Sequence, residues 1–142
     1  ALMNLTQRAV ESHFSVTDFM IPLNESPVIN ALDLSMETAL KSIDTGKLGF
    51  TLVVNQEGKL DGLISNADIR KSLLKHLDDL NGIDPVQLLN QNPTCILDDA
   101  NVLEMLQLIK KSRFPVLYLP VLNKEGFAKG IVTFVNLIKG EL

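Results

Sequence analysis

Two four-residue stretches place a hydroxyl three positions ahead of an acid or an amide. They are Ser65-Asn66-Ala67-Asp68, inside "GLISNADIRKSLLKHL", and Thr133-Phe134-Val135-Asn136. This spacing serves two chemistries. As a capping box, the hydroxyl accepts the backbone N–H three residues on and the acid turns back to the first N–H. With the acid also favoured by the helix dipole, the cap stabilises the helix by about 1–2 kcal/mol. The same helix start suits a phosphate, because unpaired N–H groups and positive potential gather there. A carboxylate one turn in can accept hydrogen bonds from both hydroxyls of a ribose. The tetrapeptide alone favours the cap. In the second stretch Asn136 loses the charge-assisted acceptor, which is about twice as strong, and Phe134 and Val135 remove polar side chains. A weaker, vestigial or empty second site is expected.

Few other residues invite chemistry. The single cysteine, Cys95, excludes an intrachain disulfide and a cysteine-built zinc site. It follows Pro93 on an expected buried strand and reads as a small core residue. His13 and His76 stand far apart, without partner ligands or a neighbouring nucleophile, so neither a metal nor a catalytic residue is expected. "KKSR" (110–113) reads as a basic helix end complementing the dipole. Its alternative role is contact of Lys111 or Arg113 with ligand phosphates. Arg70, Lys71 and Lys75 read as surface, with contact of Arg70 with a phosphate as its alternative role.

The chain has 142 residues, 46% of them hydrophobic, with 21% charged residues dispersed and a net charge of −4. That suits one domain, or two very small ones sharing a core, and argues against disorder and against a nucleic-acid partner. The longest mostly apolar run, residues 114–122, carries two prolines and falls far short of the ~20 residues of a spanning helix. A reducing, cytoplasmic setting is expected. A chain starting at Ala1 rather than Met is expected to be a piece of a longer one.

The elements that must hold the tetrapeptides come in duplicate. "SMETALKSI" (35–43) matches "NVLEMLQLI" (101–109), and "VVNQEGKLDGLIS" (53–65) matches "VLNKEGFAKGIVT" (121–133). In the second pair Asn55/Asn123, Glu57/Glu125, Gly58/Gly126 and Gly62/Gly130 coincide. A change of offset places a two-residue insertion near "FPVLYLP", where a bulge is expected and Pro115 or Pro120 should limit pairing. Each copy predicts a short strand after Pro27 or Pro93 and an amphipathic helix. The helix positions are Met36, Ala39, Leu40 and Ile43, or Val102, Met105, Leu106 and Ile109. Asp33 to Ser35 and Asp98 to Asn101 supply N-cap chemistry, and Gly46 and Gly49 should end the first helix. A hairpin around "QEG" or "KEG" and a second helix complete the unit. The expected fold is α/β (α+β), β-α-β-β-α twice, with pseudo-twofold packing. Residues 1–15 form a leader, 16–80 the first repeat and 81–142 the second.

This order, with an Asn-x-Glu-Gly turn and a Gly-apolar-apolar-Ser/Thr-x-x-Asp/Asn close to each copy, resembles the CBS domain. Two in tandem resemble a Bateman module. The resemblance implies a non-catalytic regulatory module, a likeness to domains that bind AMP, ADP, ATP or S-adenosylmethionine between two repeats and pass occupancy to an attached domain. It implies no cofactor and a homodimer. Carried over by position, one site would comprise Leu63, Ser65, Asp68, Thr94, Cys95, Arg113, Phe114 and Pro115. The weaker one would comprise Val28, Ile29, Gly49, Phe50, Ile131, Thr133 and Asn136. "VTDFM", "GLISNADIRKSL", Asn92-Pro93 and "NLIKGEL" further resemble the tail of bacterial arabinose-5-phosphate isomerases. In those proteins the catalytic domain precedes the tail, and nothing here resembles that domain. Two rival expectations stand beside nucleotide sensing: a structural dimerisation module without ligand, and an isomerase tail sensing a sugar nucleotide.

Overall fold

The computed structural model describes residues 14–112 and 116–133. In the first half the elements are β1 (Ile21–Pro22), β2 (Val28–Asn30), α1 (Met36–Gly46), β3 (Phe50–Val54), β4 (Leu60–Ser65) and α2 (Asn66–Lys75). In the second half they are β5 (Ile96–Leu97), α3 (Val102–Lys111), β6 (Tyr118–Leu122) and β7 (Ala128–Thr133). The fold is mixed α/β, with two sheets and, among the described residues, three α-helices. No described helix is long and apolar enough to cross a membrane. The helix expected over "VNLIKGEL" lies outside the described residues.

The chain forms two compact units, Ser26–Pro93, and Ala1–Glu25 together with Thr94–Leu142. In the first, β3 lies between β2, which runs parallel to it, and β4, which runs antiparallel. All five residues of β3 are buried, as a strand paired on both edges and covered on its faces requires. Ala39 and Ile43 of α1 pack with Ile29, Val53, Ile64, Ile69 and Leu88 to make the core. Met36 packs partly against it, whereas Leu40 is 46% exposed. The expected four-residue apolar stripe is therefore narrower than its spacing implied, because β2 and β3 cover only one flank of the helix.

Helix α1 begins as expected at Ser35, whose hydroxyl accepts from Thr38 N at 3.0 Å while Ser35 N donates to Thr38 Oγ1 at 2.9 Å. It ends differently. The left-handed cap is Lys47 (φ 57°), not Gly46 or Gly49, at a cost of about 1–2 kcal/mol for a residue with a Cβ. Gly46 serves packing instead: a Cβ there would lie 2.7 Å from the Cβ of Pro27. Gly49, at φ +82°, turns the chain into β3.

The second unit repeats the pattern in a sheet of order β1-β7-β6-β5. Val102 and Met105 of α3 are buried with Ile96, Leu119, Val121 and Val132, and Leu106 and Ile109 pack against them. Asn101 caps α3 by accepting from Glu104 N at 2.8 Å. The two hairpins match bond for bond. Asn55 Oδ1 accepts from Glu57 N (2.9 Å) and Lys59 N (3.0 Å), and Asn123 Oδ1 accepts from Glu125 N (3.1 Å) and Phe127 N (2.9 Å). Gly58 and Gly126 both adopt φ 91°. The repeated Asn and Gly are thus explained by turn geometry.

Among the described residues, strand β6 shows no bulge belonging to the insertion. Strand β6 pairs continuously with β7 from Tyr118 through Val121, Pro120 opposite Ile131, and the register shifts only at Val121/Leu122. The first unit has the same shift at Val53/Val54, so the irregularity belongs to the hairpin. The extra residues precede Tyr118.

The segments ahead of each repeat attach crosswise. Val16 is fully buried in the core that contains α3, Val16 N donates to Ala100 O at 2.9 Å, and β1 pairs antiparallel with β7. The segment ahead of the second repeat pairs instead with β4: Leu63 N and Asn90 O, and Asn90 N and Leu63 O, bond at 3.0 and 2.8 Å. The glycine repeated at positions 62 and 130 has a packing cause. A Cβ on Gly62 would lie 2.5 Å from Asn90 O, and one on Gly130 would collide with Ile21 O. Each glycine lets a crossing backbone approach.

Candidate functional site

Ser65 ends β4 opposite Phe50, and the next amide, Asn66 N, donates to Gly49 O at 3.0 Å. Sheet and loop together hold the start of α2. Asp68 Oδ2 accepts both Ser65 N (2.9 Å) and Ser65 Oγ (2.8 Å), and Ser65 Oγ accepts Asp68 N at 3.2 Å. The capping box is complete. Both side chains are half-buried. Both hydrogen bonds of the Asp68 carboxylate fall on Oδ2, so among the described residues Oδ1 remains open as an acceptor.

The Ser26–Pro93 unit brings Leu63, Ser65 and Asp68 together with Val28, Ile29, Gly49 and Phe50. Thr94, Cys95, Ile131 and Thr133 belong to the other unit. Phe50, Leu63 and Ile131 are buried to within 2% of completely, so any contact they offer is through backbone. Thr94 is exposed, and Thr133, opposite Tyr118, is buried. Arg113, Phe114, Pro115, Phe134, Val135 and Asn136 lie outside the described residues, as does His13.

Cys95 is half-buried just before β5 rather than on it. Burial pushes its thiol up from 9.0 to about 11, which keeps it a thiol at neutral pH. Lys110 and Lys111 are exposed in the last turn of α3, where they complement the dipole. No described cluster of three or more His, Cys, Asp or Glu could hold a metal ion.

One feature escapes the sequence reading. A groove of ≈ 720 Å³ runs along α2, lined by Asp68, Lys71, Ser72 and Lys75 on the helix and by Leu88 and Leu89 on the segment that crosses β4. The i, i+3, i+4, i+7 spacing of those four helix residues was legible as one face. Its opposite wall was not, because Leu88 and Leu89 come from beyond the helix.

Two sheets built on repeated hairpins, the first of them followed by a helix that the Ser65 hydroxyl caps, define a duplicated α/β module. The CBS domain family model matches residues 86–141. A CBS domain-containing protein of Dictyostelium discoideum is 30% identical over 116 residues, 75% of this chain and 79% of that protein. The chain belongs to the CBS-domain family. It is also 30% identical over 101 residues to arabinose 5-phosphate isomerase KpsF of Escherichia coli, 71% of this chain but 30% of the isomerase. An uncharacterized protein of Chlamydia pneumoniae is 29% identical over 119 residues, 84% of this chain and 36% of that protein. The chain thus spans about a third of these two relatives' length. Among solved structures, CBSX2 in complex with AMP aligns with a TM-score of 0.73 at 24% identity, over 90% of this chain and 96% of that one. CbpB in complex with c-di-AMP aligns with a TM-score of 0.74 at 19% identity, over 97% and 92%. These likenesses establish the fold as that of CBS-pair proteins.

Proposed function

We propose that this chain is a non-catalytic regulatory module that binds an adenosine-type nucleotide and controls a domain attached to it. The observation that carries the reading is the Asp68 carboxylate. It is fixed by Ser65 through one oxygen and open at the other, so a ribose hydroxyl meets a pre-oriented, charged acceptor. The AMP and c-di-AMP complexes of proteins with this fold support the ligand class. Ser65 and Asp68 are the core of the proposed ligand-binding set, to which the sequence resemblance adds Leu63, Thr94, Cys95, Arg113, Phe114 and Pro115. The set containing Thr133 and Asn136 is the weaker one. The working form is a homodimer.

Calorimetric titration with AMP, ADP and ATP tests this. Micromolar binding, about −8 kcal/mol, that is lost in Asp68→Ala and in Asp68→Asn is the expected result. Asp68→Asn retains an acceptor oxygen for the cap, so its loss of binding separates ligand contact from helix stability. Absence of binding to the parent chain would overturn the reading.

A second reading has its own support in the 30% identity to the E. coli isomerase. In it the chain is the regulatory tail of a sugar-phosphate isomerase and senses a sugar nucleotide. Binding of nucleotide sugars but not of AMP or ATP would favour it. Silence toward both, with an intact dimer, would leave a structural dimerisation module.

A further inference from the structure

The groove along α2 holds an anomaly. Ser72 lies in the middle of the helix, is only 8% exposed and lines the groove. Serines in helices commonly donate back to the carbonyl four residues earlier. The Ser72 hydroxyl makes no such bond and has no other hydrogen-bond partner among the described residues. A hydroxyl buried without a partner costs free energy, and buried polar groups are nearly always satisfied. On either side of it stand Lys71 and Lys75. The described ion pairs are Lys41 with Glu37, Lys59 with Glu57 and Lys124 with Asp99. In a chain of net charge −4, the two lysines that line the groove beside Ser72 have no carboxylate partner among the described residues. The groove's ≈ 720 Å³ falls within the size of small-ligand sites. Leu88 and Leu89 supply an apolar wall, and Asp68 also lines the groove.

We propose that this groove is a phosphate subsite. It takes the phosphate chain of a phosphorylated ligand, with Lys71 and Lys75 supplying charge and the Ser72 hydroxyl a buried donor. Because Asp68 lines the same groove, the proposal rests on the nucleoside reading of Asp68 for the other end of the ligand. It adds that the module discriminates among nucleotides by the number of their phosphates. A helix face carrying two ammonium groups with a hydroxyl between them suits an extended anion better than a single carboxylate, since successive phosphates can meet successive donors.

The test titrates the chain with adenosine, AMP, ATP and inorganic tripolyphosphate at two salt concentrations. It compares the parent with Lys71→Ala/Lys75→Ala and with Ser72→Ala. Affinity should rise about tenfold or more from adenosine to ATP. The double lysine variant should reduce ATP to the affinity of adenosine, leave adenosine unchanged and flatten the salt dependence. Ser72→Ala should weaken ATP several-fold while its thermal midpoint stays level or rises, because an unpartnered buried hydroxyl is removed. Tripolyphosphate binding that the lysine variant abolishes, in a chain silent toward adenosine and AMP, would support the phosphate subsite while the nucleoside reading fails. Equal affinities for adenosine, AMP and ATP, unaffected by the lysine substitutions, would overturn the subsite and leave the nucleoside reading standing. No binding of any of the four would overturn both.

Discussion

Ser65 and Asp68 hold each other through three hydrogen bonds, and all three use only one carboxylate oxygen and one hydroxyl. Cap and ligand grip are therefore compatible in the same pair, since the cap leaves Asp68 Oδ1 open. The cap's share can be measured apart from binding. Ser65→Ala removes the acceptor for Asp68 N and one donor to Oδ2, and should destabilise the ligand-free chain by about 1 kcal/mol. Ser65→Gly should cost only a few tenths. Denaturant midpoints of the two variants check this. No loss in either variant would mean that the hydroxyl contributes nothing to the helix start.

Gly62 and Gly126 are both glycines that recur in the repeat but do different work, so alanine should affect them differently. At Gly62 an added Cβ lies 2.5 Å from Asn90 O and 2.8 Å from Leu89 Cγ. The crossing segment must move, at about 1–3 kcal/mol, and amide-exchange protection at Leu63 and Asn90 should fall. At Gly126 the Cβ meets nothing within 4 Å, leaving only the strain of φ +91°, about 1–2 kcal/mol. Its exchange effects should stay at the Asn123 turn. Loss of protection at Asn90 from Gly126→Ala would refute this division.

Lys47 is the described non-glycine residue with positive φ, and it is exposed. Lys47→Gly should relieve the left-handed strain and raise stability by about 0.5–1 kcal/mol, less than the full strain because glycine also loosens the unfolded chain. Thermal unfolding measures it. A lower midpoint would mean that the lysine side chain contributes more than its backbone costs.

Cys95 predicts a pH dependence. Burial raises its thiol from 9.0 to about 11, so the folded state retains a proton that the unfolded chain releases. The contribution to stability is then level below pH 9 and falls as pH climbs from 9 toward 11. Cys95→Ser, with an alcohol that does not titrate in this range, should abolish that portion of the decline. Alkylation of the native chain at pH 7 should be slow, because roughly one thiol in ten thousand is ionised there.

Much of this was legible because its physics is local. The duplicated Asn and Gly of the hairpins encode the same four bonds around Asn55 and around Asn123, and the residues at 35, 65 and 101 cap the helices that follow them. Leu40 and the end of α1 were misjudged because neither is decided locally. How much of a helix face is covered depends on the strands beside it, and Gly46 answers to Pro27 rather than to the helix terminus.

Short-range turn, cap and alternation chemistry let the sequence determine the repeat, the order of its elements and the Ser65–Asp68 pair. Tertiary structure alone decided which leader joins which sheet. It placed β1 on β7 and Asn90 on Leu63, since strand pairing depends on where the partner edge lies and not on residues nearby in the chain. The groove follows from the same crossing. The segment that pairs at Leu63 also brings Leu88 and Leu89 against the Lys71–Lys75 face, and Ser72 is buried there as a result.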